Sequence, residues 1–140
     1  MQAIKPESLK RCEDDMLLAD LLFVGIGGFS GAILRYTLSK YLGKYTAFPF
    51  GTAFVNLTGA FAVGILAGYA GLSDRTNLLF ISGFLGSYTT YSTFMLELYS
   101  LLQKKRLILF LTYVSLTFAA GFFFTLSGYW IGQHGLSFLL

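Results

Sequence analysis

The chain has 140 residues, of which 55% are hydrophobic, 18% aromatic and 12% charged. Soluble domains carry about 25% charged residues, so this composition excludes a disordered chain or a nucleic-acid binder and argues against an ordinary soluble enzyme. The formal net charge of +3 comes from basic residues at the ends of apolar runs, which marks the edges of a bilayer better than a polyanion-binding patch.

Residues 1–15 form a polar N-terminal tail with Glu7, Glu13, Asp14 and Asp15 among its charges. No cationic start followed by a small-residue cleavage site is present, so the first apolar run is expected to persist. Cys12 is the lone cysteine, which permits neither an internal disulfide nor a cysteine-based zinc site. Residues 16–140 read as one domain with apolar runs at 16–38, 48–72, 78–102 and 107–131, each close to the ~20 residues that cross the hydrocarbon core. The separators are short and polar: Ser39-Lys40 to Lys44, Ser73-Asp74-Arg75 and Gln103-Lys104-Lys105-Arg106. The runs do not alternate polar with apolar residues, which disfavours a β-barrel. The expected fold class is an all-α membrane protein with four transmembrane helices.

Lys5, Lys10, Arg11 and Arg75 would share one side of the bilayer; Arg35, Lys40, Lys44, Lys104, Lys105 and Arg106 would share the other. Four basic residues against six is a small bias for a rule that orients helices by such counts. Two readings stay open: one fixed orientation with the six-residue side in the cytosol, or a chain that inserts both ways and pairs with an inverted copy.

The first run carries Gly27 and Gly31 at four-residue spacing, a pattern repeated by Gly64 and Gly68 and by Gly128 and Gly132. Small residues so spaced let helix backbones approach closely in a membrane. Contacts within one subunit would account for any single pair equally well; together they favour a compact bundle that associates further. Arg35, at the end of the first run, fits either an anion-attracting position at a pore mouth or a side chain snorkelling to headgroups.

In the second run Asn56 lies near the centre, with Thr52 and Ala60 on its helical face. An unpartnered amide costs several kcal/mol in hydrocarbon, so Asn56 must face protein or water. It fits an interhelical hydrogen bond or two N–H donors offered to an anion.

The third run is the odd one. Residues 83–94 read GFLGSYTTYSTF, where glycines weaken the helix and hydroxyls at Ser87, Thr89, Thr90, Ser92 and Thr93 compete for backbone carbonyls. A discontinuous helix is expected here; broken helices at this depth mark ion sites. The simpler alternative is an intact helix whose Ser and Thr bond to their own backbone. Tyr91 and Phe94 are three apart and project from one face. Packing or lipid contact is the commoner use of such a pair, although ring edges also attract anions. Glu97 is the sole acidic residue well inside this run, where a charge is expensive. It faces a wet vestibule or sits near the interface.

In the fourth run Tyr113, Thr117 and Gly121 recur at spacing four and form a stripe that lines a path or packs on another helix. His134 lies outside the runs with no second histidine, so metal or haem ligation is not expected, and no nucleophile–base pair or phosphate loop occurs.

Three segments together resemble the Fluc (CrcB) family of fluoride channels: GGFSGAILRY at 27–36, GTAFVNLTGAFAVG at 51–64 and GFLGSYTTYSTF at 83–94. The stripe of Tyr113, Thr117 and Gly121 is also similar to the family pattern, with serine commoner at the middle position. The resemblance covers nearly the whole chain after the tail. It implies an antiparallel, dual-topology dimer in the cell (inner) membrane with two pores that passively conduct fluoride out of the cell. By matching motif it implies that Asn56 donates to fluoride and that the rings of Tyr91 and Phe94 line the pores. Thr90, Ser92, Thr93, Tyr113 and Thr117 would form a hydroxyl track with Glu97 near its end, and Arg35 would stand near the vestibule. Carbonyls of Gly86 and Thr89 would hold a structural sodium ion at the dimer interface. Some members pair two paralogous chains, which leaves a heterodimer open. Tyr91 departs from the family's usual Phe, and the long N-terminal tail is a second departure.

Two other classes compete with this one. A small four-helix proton-coupled exporter needs a membrane carboxylate that titrates with substrate; Asp20 and Glu97 are the candidates, and neither sits at the centre of the first run. A non-conducting structural subunit would pass no ion on its own.

Overall fold

A computed structural model describes residues 6–43, 48–69 and 71–135, with side chains described from residue 16 onward. Residues 1–5 of the expected tail, the side chains of 6–15 and Lys44 lie outside the described residues. Helix α1 spans Pro6–Leu42 and α2 spans Phe50–Gly68. The short α3, Asp74–Asn77, leads into a π-helical segment at Leu78–Leu85, then α4 at Gly86–Tyr88. Helices α5, Tyr91–Gln103, and α6, Leu107–His134, complete the order.

Among the described residues, three helices are long and apolar enough to cross a membrane: Met16–Leu42 within α1, Phe50–Gly68 and Leu107–His134. The third expected run is delivered in pieces, π segment, α4 and α5, because the backbone leaves the helix at Thr89 (ψ 157°) and Thr90 (φ −146°, ψ 120°). The discontinuity expected from glycines and hydroxyls is present. The second run stops short of residue 72: Tyr69 is extended (φ −88°, ψ 105°) and closes α2 with its N–H on Ile65 O. Ser73 then caps α3 by accepting from Thr76 N at 3.3 Å, an ordinary N-cap geometry. α1 is continuous through residues 6–15, so the backbone of that part of the tail is helical and runs on into the first span.

Glycine decides how the helices meet. On the seam of α2 and α6, a Cβ at Gly64 would strike Thr125 O and one at Gly128 would strike Phe61 O. Gly68 against Tyr129 O and Gly132 against Ile65 O repeat the contact one turn along. Gly27 and Gly31 meet the backbone of Leu79 and Phe84 in the same way. All six spaced glycines are therefore used within one subunit. Their backbones are covered within the subunit, as the alternative of intrasubunit contacts has it.

The interior falls into two clusters on either side of the break. Ala53, Phe94, Leu98, Leu101 and Tyr113 join α2, α5 and α6; Val55, Leu85 and Tyr88 join α2 to the π segment and α4. Large apolar side chains on α1 and α6, such as Phe29, Phe118 and Phe122, face outward. An exposed apolar coat around a thin core fits a lipid solvent and a multi-pass membrane protein.

A hydroxyl-lined cleft at the helix break

Breaking a helix orphans backbone groups that must be satisfied elsewhere when water is absent. In an unbroken helix Thr90 N would donate to Gly86 O. Here it donates to Asn56 Oδ1 at 2.8 Å, and Asn56 Nδ2 donates to Thr90 O at 3.0 Å. One amide thus satisfies both backbone groups of Thr90. Arg35 serves the other side of the break, its Nε donating to Ser87 O at 3.0 Å. Thr89 Oγ1 turns back to Leu85 O at 2.9 Å. Thr90 is also the N-cap of α5: its Oγ1 accepts from Thr93 N at 3.3 Å and donates to Thr93 Oγ1 at 3.0 Å. Ser92 Oγ lies 3.4 Å from Thr90 Oγ1 and is exposed. Gly59 on α2 admits this close approach, since a Cβ there would collide with the Thr89 methyl.

Beside the break opens a cleft of about 310 Å³, lined among others by Asn56, Thr89, Thr90, Phe94, Thr117 and Thr125. No charged side chain lines it. Among the described residues Thr117 Oγ1 is the buried side-chain polar atom with no hydrogen-bond partner. Thr125 Oγ1, two turns on, donates to Gly121 O at 2.9 Å and reaches Ala60 O at 3.3 Å.

The two rings expected side by side have different surroundings. Phe94 is 4% exposed and meets Tyr113 edge-on at 4.9 Å and Phe118 at 6.1 Å. Tyr91 also lines the cleft yet is 71% exposed, its ring 6.4 Å from that of Phe94.

A second recess of about 260 Å³ is lined by Pro49, Thr93, Glu97, Ser100 and Lys104 among others. Glu97 is held rather than free: Thr52 Oγ1 donates to Oε1 at 2.7 Å and Tyr113 OH to Oε2 at 2.8 Å. Tyr113 is wholly buried between this carboxylate and Phe94. Asp20, the other candidate carboxylate, lies 3.9 Å from Arg75 in an exposed ion pair.

Asn56, Thr89, Thr90, Tyr91, Phe94 and Thr117 are therefore gathered at one cleft, and Thr93 and Glu97 at the second recess, with Tyr113 buried against Glu97. Ser92 lies at the rim. Arg35 sits behind the break, on a backbone carbonyl. Gly86 is exposed at the end of the π segment. Sequence reasoning left Thr52 and Thr125 out of the site. Both were signalled: Thr52 is one turn from Asn56, and Thr125 continues the spacing of Tyr113, Thr117 and Gly121.

The profile of the family described as CrcB-like protein, Camphor Resistance (CrcB) matches residues 22–129. A protein of Bacillus thuringiensis subsp. konkukian named fluoride-specific ion channel FluC 2 is 41% identical over 117 residues, covering 82% of this chain and 98% of its own. Fluoride-specific ion channel FluC of Aquifex aeolicus is 40% identical over 116 residues, covering 79% and 94%. FluC 1 of Geobacillus kaustophilus is 39% identical over 113 residues, covering 80% and 97%. These relatives are named as channels, not enzymes. The profile covers the broken helix, the cleft and the second recess, and with this similarity along nearly their full length the chain belongs to the CrcB family.

Proposed function

We propose that the chain is a passive fluoride-selective channel that lets cytoplasmic fluoride leave down its electrochemical gradient. The observation that carries this is the cleft at the break, whose polar lining consists of an amide, backbone and hydroxyls without any charged side chain. Fluoride is small and strongly hydrated, so a path must replace its water with close donors yet release it at the far end. A full cation at the constriction would hold it too tightly. Thr117 Oγ1, buried and unpartnered, carries a desolvation cost of about 1–3 kcal/mol that a passing anion accepting its proton relieves. Asn56 has two N–H donors on Nδ2, of which Thr90 O engages one. The path runs from this cleft past Phe94 and Thr93 to the recess beside Glu97, with Tyr91, Thr90, Ser92 and Tyr113 along it. Thr52 and Tyr113 occupy the carboxylate oxygens of Glu97 and so moderate its repulsion of an anion. Arg35 acts from behind the break, where its positive charge attracts anions without blocking them.

The working unit is an antiparallel homodimer in the inner membrane, one path per subunit. Gly86 and Tyr91 are exposed beside the break, which supplies a face for a second copy to cover. A structural sodium ion at that face would be held by the carbonyls of Gly86 and Thr89. The residues fit it: the donor that Gly86 O would have in an intact helix is diverted to Asn56, and Thr89 is extended, so hard oxygen ligands stand where helical bonds do not.

The test is reconstitution of the purified chain alone in liposomes loaded with fluoride or chloride. Rapid fluoride release with chloride retained, in the absence of proton exchange, is the expected result. Obligate proton exchange would favour a coupled exporter. No fluoride release would favour a second required chain or a structural subunit.

A further inference from the structure

Among the described residues, one end of the molecule carries a group of cations whose neighbouring carboxylate, Glu97, is already hydrogen-bonded. A Cβ at Gly51 would lie 2.5 Å from Ser39 O, and Pro49 shares a recess with Lys104, so the end of α1, the start of α2 and the turn between α5 and α6 lie together. Lys40, Lys104, Lys105 and Arg106 are all exposed there, and Lys40 lies over the Tyr36 ring. Glu97 is the nearest acid along α5, and its oxygens are engaged by Thr52 and Tyr113. The turn is closed by Lys104 N on Ser100 O at 3.1 Å, Lys105 N on Leu102 O at 2.9 Å and Arg106 N on Leu101 O at 2.9 Å. Lys105 takes φ 55°, where this closing motif ordinarily places glycine. A charged side chain therefore stands at a position whose backbone favours having none.

Next to it is a recess of about 460 Å³ lined by Lys105, Arg106, Leu107, Ile108 and Leu109. Its lining passes directly from cations to aliphatic side chains, and Leu107 and Ile108 are 59% and 82% exposed. A ligand that matches both parts has an anionic head and a hydrocarbon chain. We propose that this turn binds an anionic phospholipid, its phosphate against Lys104, Lys105 and Arg106 and its acyl chain along Leu107 and Ile108. Free phosphate matches only the cationic half. The site goes beyond the ion path and does not depend on which ion passes.

The test uses the full chain in phosphatidylcholine bilayers with spin-labelled phosphatidylglycerol or spin-labelled phosphatidylcholine, read by electron spin resonance. The wild-type chain should associate with phosphatidylglycerol about fivefold more than with phosphatidylcholine, the preference one surface lysine supplies. The triple variant K104Q/K105Q/R106Q should lose that preference. Lys105→Gly, which suits the backbone of the turn and keeps the fold, should reduce it, while millimolar inorganic phosphate should not displace the lipid. Equal association of both lipids with wild type, a preference unchanged in Lys105→Gly, or displacement by inorganic phosphate would overturn the proposal.

Discussion

Asn56 holds the third span open: it occupies the N–H and C=O of Thr90 and leaves the cleft lined by neutral dipoles. Asn56→Asp keeps an acceptor for Thr90 N but turns a second acceptor on Thr90 O and a negative charge on the proposed ion path. Fluoride release from proteoliposomes should fall about tenfold or more, in line with an unsatisfied buried group costing ~1–3 kcal/mol; a wild-type rate in the folded variant would remove Asn56 from the path. Thr117→Val makes the opposite use of the same logic. Its hydroxyl has no partner to lose, so melting should show stability unchanged or raised by roughly 1 kcal/mol, while fluoride flux falls. Lower stability with normal flux would make Thr117 a packing residue. Phe94 makes edge contacts with both Tyr113 and Phe118, so Phe94→Ile should cost about 1–3 kcal/mol and impair conduction, with size-exclusion chromatography showing assembly intact.

Helix pairing rests on glycines whose absent side chains are filled by carbonyls. Gly128→Val should abolish stable folding in detergent, because the added atoms meet Phe61 O. Gly121→Ala should be neutral or stabilising by up to ~1 kcal/mol, since nothing lies within 4 Å of a Cβ there; equal loss in both variants would contradict this account of the α2–α6 seam. The spacing of these glycines was legible in the sequence, but their partners were not, since which backbone fills each notch is set by tertiary packing. The break was legible because glycines and hydroxyls crowd GFLGSYTTYSTF and weaken a helix by local chemistry. What satisfies the break was not: Asn56 is 34 residues from Thr90 and Arg35 is 52 from Ser87, and only tertiary packing brings them together. The π-helical segment Leu78–Leu85 had no local signature in an ordinary apolar run. The unequal exposure of Tyr91 and Phe94, three residues apart on one turn, likewise depends on where α6 lies.

A chain with a thin core and an apolar coat pairs most of its buried polar groups with each other, and apart from the Thr117 hydroxyl they meet here at the cleft and at Glu97. The two ends differ in charge. Asp20 pairs with Arg75 at one, and exposed Lys104, Lys105 and Arg106 crowd the other, so an inverted pair would present each leaflet with one of each end. In the proposed passive channel the driving force for the ion is its own gradient and the membrane voltage; the two candidate carboxylates for a coupled exporter, Asp20 and Glu97, are an exposed ion pair and a hydrogen-bonded glutamate. The most direct measurement is the reversal potential of current through the purified chain in a planar bilayer, under opposed fluoride and pH gradients. The current should reverse at the fluoride equilibrium potential and stay there when the pH gradient is changed. A reversal potential that moves with the proton gradient, or that follows chloride, would contradict a passive fluoride path lined by neutral dipoles.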